Sequence, residues 1–441
     1  MKGNVVLPVL IAAVQVGLPS SGAGCLDVRD FGAVGDGVSS DTRSLQRAID
    51  ACPSGGTVCI SPGVYLSGAL WLKSDMTLVV CRGATLQGSA SADDYPVWDW
   101  WFEGCAAEPC YASLLNVPVA GVSNLVIRGE GVIDGNGEKL VVAEEQIGRK
   151  GKRGRVLGVS NSRNVVVEGV TFRQSASWCL HFIYCEDVVI SNVTVRTKED
   201  EHGRRYRGVH NGDGIDIDSS LRVRVEGCHI YSQDDCIAIK SGKNAFGREM
   251  ARPTEDVLIR NCFFGSGFGV AVGSEMSGDV RRVDVLDCVF SNSFSLASIK
   301  SVRGRGGIVE DVCFENIRFV NRSQEVKDTK WYRGGIYLDM FYSVEKPKNG
   351  EWMAPNEGTP RFRRIAFRNI DAETVVSSAI YAAGLPESCI EGLVFDHVRA
   401  RGRWGMLAAN LRDVRMTDCE IAMEEGDRFR LENVINLSWT R

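Results

Sequence analysis

Short β-strand patterns repeated at a steady interval constrain the fold of this chain most. In each copy apolar residues alternate with others, a turn-forming or polar residue interrupts them, and an apolar residue or cysteine follows, as in VVVEGVTF and VRVEGCHI. The copies begin at Val165, Val188, Val223, Val257, Val283, Val312, Ile365, Leu393 and Val414. Apart from the long gap between Val283 and Ile365, which contains the copy at Val312, successive copies start 21 to 35 residues apart. Strands with period-two alternation, spaced by one coil, predict an all-β parallel solenoid.

A second set of strands alternates with the first and carries more charge. DGIDIDSS begins at Asp213, and DCIAIKSG begins 22 residues later at Asp235. Successive side chains of a strand point to opposite faces, so the Ile and Val residues of this set should face inward. The outward positions on the same sheet are then Asp216, Lys240, Ser298 and Lys300. In the first set, we expect an interior ladder formed by Cys228, Cys262 and Cys288.

Three carboxylates are expected to meet at the entrance of this charged sheet. Asp213 and Asp235 hold equivalent positions on neighbouring coils, so their backbones should lie about 4.8 Å apart. Asp234 directly precedes Asp235. A cluster of three like charges either binds a cation or shares protons as catalytic acid and base.

Composition and the N-terminus indicate where the protein works. The chain of 441 residues is 44% hydrophobic, enough for a large core, and its net charge of -5 argues against a nucleic-acid partner. Residues 1–24 are typical of a secretory signal peptide, with one Lys and an apolar run from Val5 to Leu18. The mature domain would be 25–441, secreted or periplasmic. Cys25 follows the sequence GAG, which leaves a membrane lipid anchor at Cys25 as an alternative.

The cysteines do not suggest metal binding. There are 15 of them, and no two are separated by only two residues, so we expect no zinc site. Export permits disulfides, and Cys105 and Cys110 are a candidate local pair.

Several motifs together resemble one enzyme family. NGDGID, DDCIAIKSG, GSEMSG, and IKS followed by GRGG are similar to glycoside hydrolase family 28, the polygalacturonase family, and DFGAVGDGVSSDT and GEGVIDGNG resemble its bacterial members. The resemblance implies a right-handed single-stranded parallel β-helix. It also implies a secreted, inverting hydrolase that cleaves α-glycosidic bonds at galacturonic acid residues of pectin, without a cofactor or metal. A solenoid with capped ends can be a monomer, which we expect here.

The resemblance also assigns roles to the acids. Asp234 matches the general acid, and Asp213 and Asp235 match the pair that holds and deprotonates the attacking water. Inversion usually requires an acid and a base roughly 6.5–9.5 Å apart. Asn211 matches the family's Asn beside the first catalytic Asp, and Lys300 matches a lysine that contacts a substrate carboxylate.

Four more residues are candidates for substrate binding. Lys240 faces outward like Lys300. Arg207 belongs to the basic segment before Asp213, and arginine suits carboxylate recognition. His181 lies one coil before Asp213 and is either a cleft wall or a buried core residue. Tyr337 is the aromatic candidate for stacking on a sugar.

The chain departs from the family pattern in two places. The family's His aligns with Phe268 or Gly267, and its Arg two residues before the lysine is Ser298. A rhamnogalacturonan or other modified-pectin hydrolase is therefore an alternative. A polysaccharide lyase of the same architecture and a non-catalytic polysaccharide-binding β-helix are the others.

Overall fold

A computed structural model shows three parallel stacks of strands wound into a β-helix, which confirms the predicted fold class. The structure describes residues 24–323, 333–342 and 350–440. The predicted signal peptide therefore lies outside the described residues, except for Gly24. Within the described ranges, no helix is long and apolar enough to cross a membrane.

The first stack carries the charged strands. Its members are Leu70–Trp71, Leu115–Asn116, Leu157–Ser160, Leu180–Ile183, Ile215–Asp218, Ile237–Lys240, Val270–Gly273, Ala297–Lys300, Gly334–Asp339, Ser378–Ala383, and the opening halves of Trp404–Thr417 and Phe429–Thr440.

The second stack contains the recurring pattern described above. It comprises Cys25–Asp27, Gly56–Ile60, Met76–Val80, Ser123–Gly129, Arg163–Glu168, Glu186–Ser191, Leu221–Glu226, Thr254–Arg260, Val280–Leu286, Ile308–Asn321, Arg361–Thr374 and Ile390–Gly402. The closing halves of Trp404–Thr417 and Phe429–Thr440 also belong to it. The third stack comprises Asp36–Ser40, Gly63–Ser67, Ala84–Gly88, Val132–Asp134, Thr171–Arg173, Thr194–Arg196, His229–Tyr231, Phe263–Phe264, Val289–Ser291 and Glu420–Met423, with the closing parts of the long strands from Ile308, Arg361 and Ile390.

Register within the first stack places like residues above one another. Ile215 pairs with Ile237, which pairs with Val270, and all three are buried in one continuous core. The predicted cysteine ladder is also confirmed: Cys228, Cys262 and Cys288 are buried and form no disulfide. Stacking of identical positions therefore builds the core coil by coil.

Turn residues stack in the same way on the outside. Asn124 and Asn164 adopt the left-handed conformation, and Asn164 Nδ2 donates to Asn124 Oδ1 at 3.1 Å. Asn316 and Asn369 repeat the arrangement at 2.8 Å. Asn tolerates this backbone conformation better than most residues, which explains its recurrence at the bends.

A helix covers the first strand of the first stack. Helix Thr42–Ala51 buries Leu45 and Ile49 in the core. The amide of Gln46 accepts from Trp71 N at 2.9 Å and donates to Trp71 O at 3.0 Å, as a neighbouring strand would. The other helices among the described residues are Gly137–Gln146, Asn244–Met250, and the short 3-10 helices Val28–Phe31 and Ala92–Asp94.

An antiparallel hairpin projects from the β-helix and lies along the first stack. Its strands are Val97–Trp101 and Ala107–Tyr111. Trp100 is buried, and its indole Nε1 donates to His181 Nδ1 at 3.3 Å. The tip of this hairpin, residues 102–105, reaches the functional site described below.

The disulfide pattern differs from the predicted one. Cys25 pairs with Cys59, which joins the first strand of the second stack to its neighbour. Cys105 and Cys110 are both free, so the predicted local pair is wrong, because Cys105 belongs to the hairpin tip while Cys110 turns its buried thiol to Trp100 O. Lipid attachment requires the sulfur of Cys25, which the disulfide occupies, so the structure does not support an anchor there.

Candidate active site

The three predicted carboxylates meet where strands enter the first stack. Asp213 precedes Ile215–Asp218, and Asp234 and Asp235 precede Ile237–Lys240. The amide of Gly214 donates to Asp235 O at 2.9 Å, which fixes the two coils side by side. One carboxylate oxygen from each Asp lies within 4.8 Å of the others. This is closer than the separation expected for an inverting pair.

Lys300 neutralises one of the three acids. Its Nζ donates to both carboxylate oxygens of Asp235, at 3.0 and 2.7 Å, and both side chains are buried. Burial alone would lower the pKa of Lys300, but the charge of Asp235 outweighs it and raises this pKa. An ammonium at this position already supplies the positive charge that a metal ion would bring, which favours acid–base chemistry over cation binding.

Asp234 has a different environment from Asp235 beside it. Its side chain is half-buried, and its Oδ1 accepts from the amide of Asp235 at 3.0 Å. Burial and the neighbouring Asp235 carboxylate raise the pKa of Asp234 to about 6. Burial, with Asp216 and Asp234 nearby, raises the pKa of Asp213 well above its usual value. The cluster can therefore hold a proton at mildly acidic pH.

Lys240 is a second cationic group, and it lies at the carboxyl end of strand Ile237–Lys240. Burial opposes the charge of Lys240, but Glu275 at 3.1 Å and Asp216 at 3.9 Å raise its pKa well above the usual value. Arg305 contacts the other oxygen of Glu275 at 3.3 Å. Sequence reasoning missed Glu275 and Arg305, although GSEMSG and GRGG, which contain them, were noted for their resemblance.

The hairpin tip forms a wall at one end of the site. The ring of Phe102 stacks on Trp178 with centroids 6.1 Å apart, and the Arg155 guanidinium contacts both rings. Glu103 Oε2 accepts from Lys243 Nζ at 2.6 Å, and Gly104 O accepts from Lys243 N at 3.0 Å. The wall thus crosses the outer face of the first stack from Trp178 to Lys243.

These groups surround a cavity of about 580 Å³. The residues that line it are Glu103, Trp178, Asn211, Asp213, Asp234, Asp235, Lys240, Lys243, Ser274, Glu275, Lys300, Val302, Arg305 and Tyr342. Six residues predicted from the sequence are among them: the three acids, Asn211, Lys240 and Lys300.

Asn211 is held by a residue that the sequence did not single out. Arg153 Nη2 donates to Asn211 Oδ1 at 2.7 Å, and Arg153 Nη1 donates to Ala176 O at 2.9 Å. Arg153 belongs to the segment RKGKRGR, whose excess of basic residues is the only signal that points to it.

Three predicted binding residues do not line the cavity. Arg207 is exposed, and its backbone amide donates to Glu138. Tyr337 faces outward as predicted but is fully buried, with its hydroxyl donating to Asp339 at 2.6 Å, so it cannot stack on a sugar. His181 is likewise fully buried between Trp100 and Trp178, and burial, with Arg155 and Lys240 nearby, lowers its pKa well below the usual value.

Comparison with known proteins identifies the family. The model for glycosyl hydrolases family 28 matches residues 65–414. The chain belongs to this family. It is therefore a glycoside hydrolase. A second model, described as rhamnogalacturonase A/epimerase, pectate lyase-like, matches residues 25–89, a range that contains none of the cavity residues.

Individual relatives agree with the family assignment. A probable polygalacturonase of Vitis vinifera is 28% identical and aligns over 93% of this chain and 80% of its own length. An exo-poly-alpha-D-galacturonosidase of Dickeya chrysanthemi is 29% identical over 68% of this chain, which spans 56% of that relative. The solved exopolygalacturonase of Thermotoga maritima superposes with a TM-score of 0.70 at 25% identity, covering 88% of this chain and 87% of that one.

Proposed function

We propose that this family 28 hydrolase cleaves the α-glycosidic bond of a galacturonic acid residue in pectin. The observation that carries the proposal is the cluster of Asp213, Asp234 and Asp235 with Lys300 beside it. The names of the relatives, all polygalacturonases or galacturonosidases, support the substrate class.

The acids divide the reaction between them. Asp234 keeps its proton at mildly acidic pH and donates it to the leaving glycosidic oxygen as the bond to the anomeric carbon breaks. Asp235, which accepts two hydrogen bonds from Lys300, and Asp213 orient a water. As this water attacks the anomeric carbon, one of its protons passes to the Asp235 carboxylate. The products are two saturated sugar ends, so no double bond forms.

Inversion of the anomeric centre is proposed from family membership alone. One carboxylate oxygen from each acid lies within 4.8 Å of the others, which by itself is nearer to the separation typical of retaining enzymes. Proton NMR of the first-formed product distinguishes the two outcomes, because inversion gives the β-anomer initially and retention gives the α-anomer.

The wall at the hairpin tip supports attack at a chain end. A long polymer would have to pass through Phe102, Glu103 and Trp178 to continue in that direction. The expected product is therefore a single sugar released from the end of the chain, rather than a mixture of internal fragments.

Product analysis on a panel of polymers tests the proposal. Polygalacturonate, rhamnogalacturonan backbone and xylogalacturonan would be incubated with the protein and with Asp234→Asn, and the products separated with ultraviolet detection of unsaturated ends. Saturated products that are absent with Asp234→Asn support the proposal. Unsaturated products, or activity lost on chelation, would favour a lyase, and binding without any product would favour a non-catalytic binding protein.

Residues 1–24 are proposed as a signal peptide and 25–441 as a secreted or periplasmic mature domain that is monomeric. The disulfide between Cys25 and Cys59 supports an oxidising compartment. Cell fractionation with N-terminal analysis tests the first statement, and light scattering of the purified protein tests the second.

A further inference from the structure

On the coils that follow the acids, two phenylalanines occupy the same row of strand-entrance positions as Asp213, Asp234 and Asp235. Ile237 pairs with Val270, so Phe268 occupies on the next coil the position that Asp235 and Asp213 hold. Val270 pairs with Ala297, so Phe294, on the coil after that of Phe268, occupies the position that Asp234 holds on its own coil. Neighbouring coils lie about 4.8 Å apart, so the aromatic rings follow directly after the carboxylates.

The two rings form a fixed apolar surface. Their centroids lie 4.9 Å apart at an angle of 52°, and both side chains are half-buried. The amide of Phe268 donates to Asp234 O at 3.0 Å, and the amide of Phe294 donates to Gly267 O at 2.7 Å. The backbone therefore anchors the pair beside the acid that faces the leaving group.

The chemistry of this surface favours an uncharged sugar. Aromatic rings contact the C–H face of a pyranose well, but they supply no partner for a carboxylate. A free uronate here would also lie close to the carboxylates of Asp234 and Asp235, and desolvating a charge without a partner is costly. Lys300, on the same coil as Phe294, already donates to both carboxylate oxygens of Asp235. The next position in the row is Arg333, which follows Phe294 in register and donates to the Tyr381 hydroxyl at 2.8 Å.

We propose that Phe268 and Phe294 bind the sugar on the leaving side of the scissile bond and select one without a free carboxylate. The inference rests on the proposed function and makes the substrate more specific: a galacturonic acid residue followed by an uncharged residue. That residue is either a methyl-esterified galacturonate or a 6-deoxyhexose such as the rhamnose of rhamnogalacturonan. An acidic residue after it would meet Arg333.

Defined oligomers test the selection. The probes are trigalacturonate, the same trimer methyl-esterified on its middle residue, and a rhamnogalacturonan tetrasaccharide that begins with galacturonic acid. We expect kcat/KM to be at least about tenfold higher for one of the two neutralised probes than for trigalacturonate. Phe268→Ala and Phe294→Ala should each remove about tenfold of that preference. Phe263→Ala, a half-buried Phe of the third stack, is the matched control and should leave the preference unchanged.

Binding to Asp234→Asn separates this inference from the proposed function, because the oligomers stay intact. Tighter binding of a neutralised probe, lost in the double variant with Phe268→Ala, supports the aromatic subsite even if no cleavage is found. Equal binding of all three probes, or an equal loss for all three in the Phe variants, would overturn it. Absence of cleavage of every probe by the unaltered protein would overturn the proposed function instead.

Discussion

Two adjacent residues of the same type have different chemical properties here because of their contacts. Asp235 receives two hydrogen bonds from Lys300, whereas Asp234 receives one from a backbone amide and lies near the negative charge of Asp235. Environment alone therefore gives one of two adjacent aspartates a raised pKa, so that it can retain a proton at mildly acidic pH. The sequence DD does not carry this distinction.

The pH dependence of activity should reflect the proton on Asp234. Because the acid must be protonated and its pKa is raised to about 6, we expect kcat/KM to decrease above about pH 6 with one proton lost. Initial rates measured from pH 3 to 8 check this limb. A plateau that extends to pH 8 would contradict the assignment of Asp234 as the acid.

Asp234 should also reduce stability at neutral pH. The pKa of Asp234 in the folded state, about 6, lies above the unfolded value of about 3.9. The stability that its carboxyl contributes is therefore fully present below about pH 3.9 and is lost as the pH rises through about 6. Asp234→Asn should therefore raise the free energy of unfolding at pH 7.5, by about 1–2 kcal/mol after solvent screening. Urea unfolding at pH 7.5 and pH 3.5 measures the difference, which should vanish at the lower pH.

Lys300 should control the protonation of the acids as well as the rate. Lys300→Met removes a charge that lowers the pKa of Asp234, so we expect kcat to fall about 100- to 1000-fold and the alkaline limb of the pH profile to move upward. Lys300→Arg keeps the charge and should retain the position of that limb. A loss of rate with no movement of the limb would indicate a role in substrate contact only.

At the scale of elements, the hairpin adds a wall at one end of an otherwise open face. Gly104 at its tip has φ of +63°, and a Cβ there would lie 2.9 Å from Gly242 Cα and 3.0 Å from Asp218 Oδ2. Only glycine allows both this conformation and this close approach. The glycine therefore seats the tip against the loop that follows Ile237–Lys240.

Gly104→Val should displace the tip and open the wall. We expect oligomeric products to appear beside the single sugar, because a polymer could then extend past Phe102 and Trp178. Gly55→Val is the matched control, since Gly55 also has a positive φ of +76° but a Cβ added there would have nothing within 4 Å. Chromatography of early products compares the two. An unchanged product pattern in a folded Gly104→Val protein would show that the wall does not determine where the chain is cut.

At the scale of the molecule, each coil is stabilised by the coils on either side of it. A terminal coil lacks one neighbour and must be covered or tied by another element. Helix Thr42–Ala51 covers the first strand of the first stack, and the disulfide between Cys25 and Cys59 ties the first strand of the second. Most of the molecule between the ends repeats one packing arrangement around a continuous core.

Loss of the disulfide should destabilise the first coil. It closes a separation of 34 residues, so Cys59→Ser should lower the free energy of unfolding by about 3 kcal/mol, while Cys105→Ser, at a free thiol, should have little effect. Urea unfolding measures both. Mass spectrometry of the mature protein without reductant should show two hydrogens fewer than the thiol form; a diacylglycerol adduct on Cys25 would contradict the pairing.

The sequence by itself determined the parts of this protein that repeat. In a parallel stack, equal spacing along the chain becomes vertical alignment in space, so the pattern predicted a parallel β-solenoid, the cysteine ladder and the convergence of Asp213 with Asp235. The same rule placed Lys300 on the sheet that carries the acids. The resemblance of several motifs indicated the family of the protein. Fold and acid cluster could therefore be predicted without coordinates.

Only the tertiary structure decided what covers that sheet. The pair of Glu103 with Lys243 joins residues 140 apart in sequence, and the contact of Arg153 with Asn211 also arises between loops that share no repeat. Burial of His181 follows from Trp100 of the hairpin, whose position no strand period specifies. Loop contacts depend on the path of each connection through space, and that path is not encoded in the spacing of the strands.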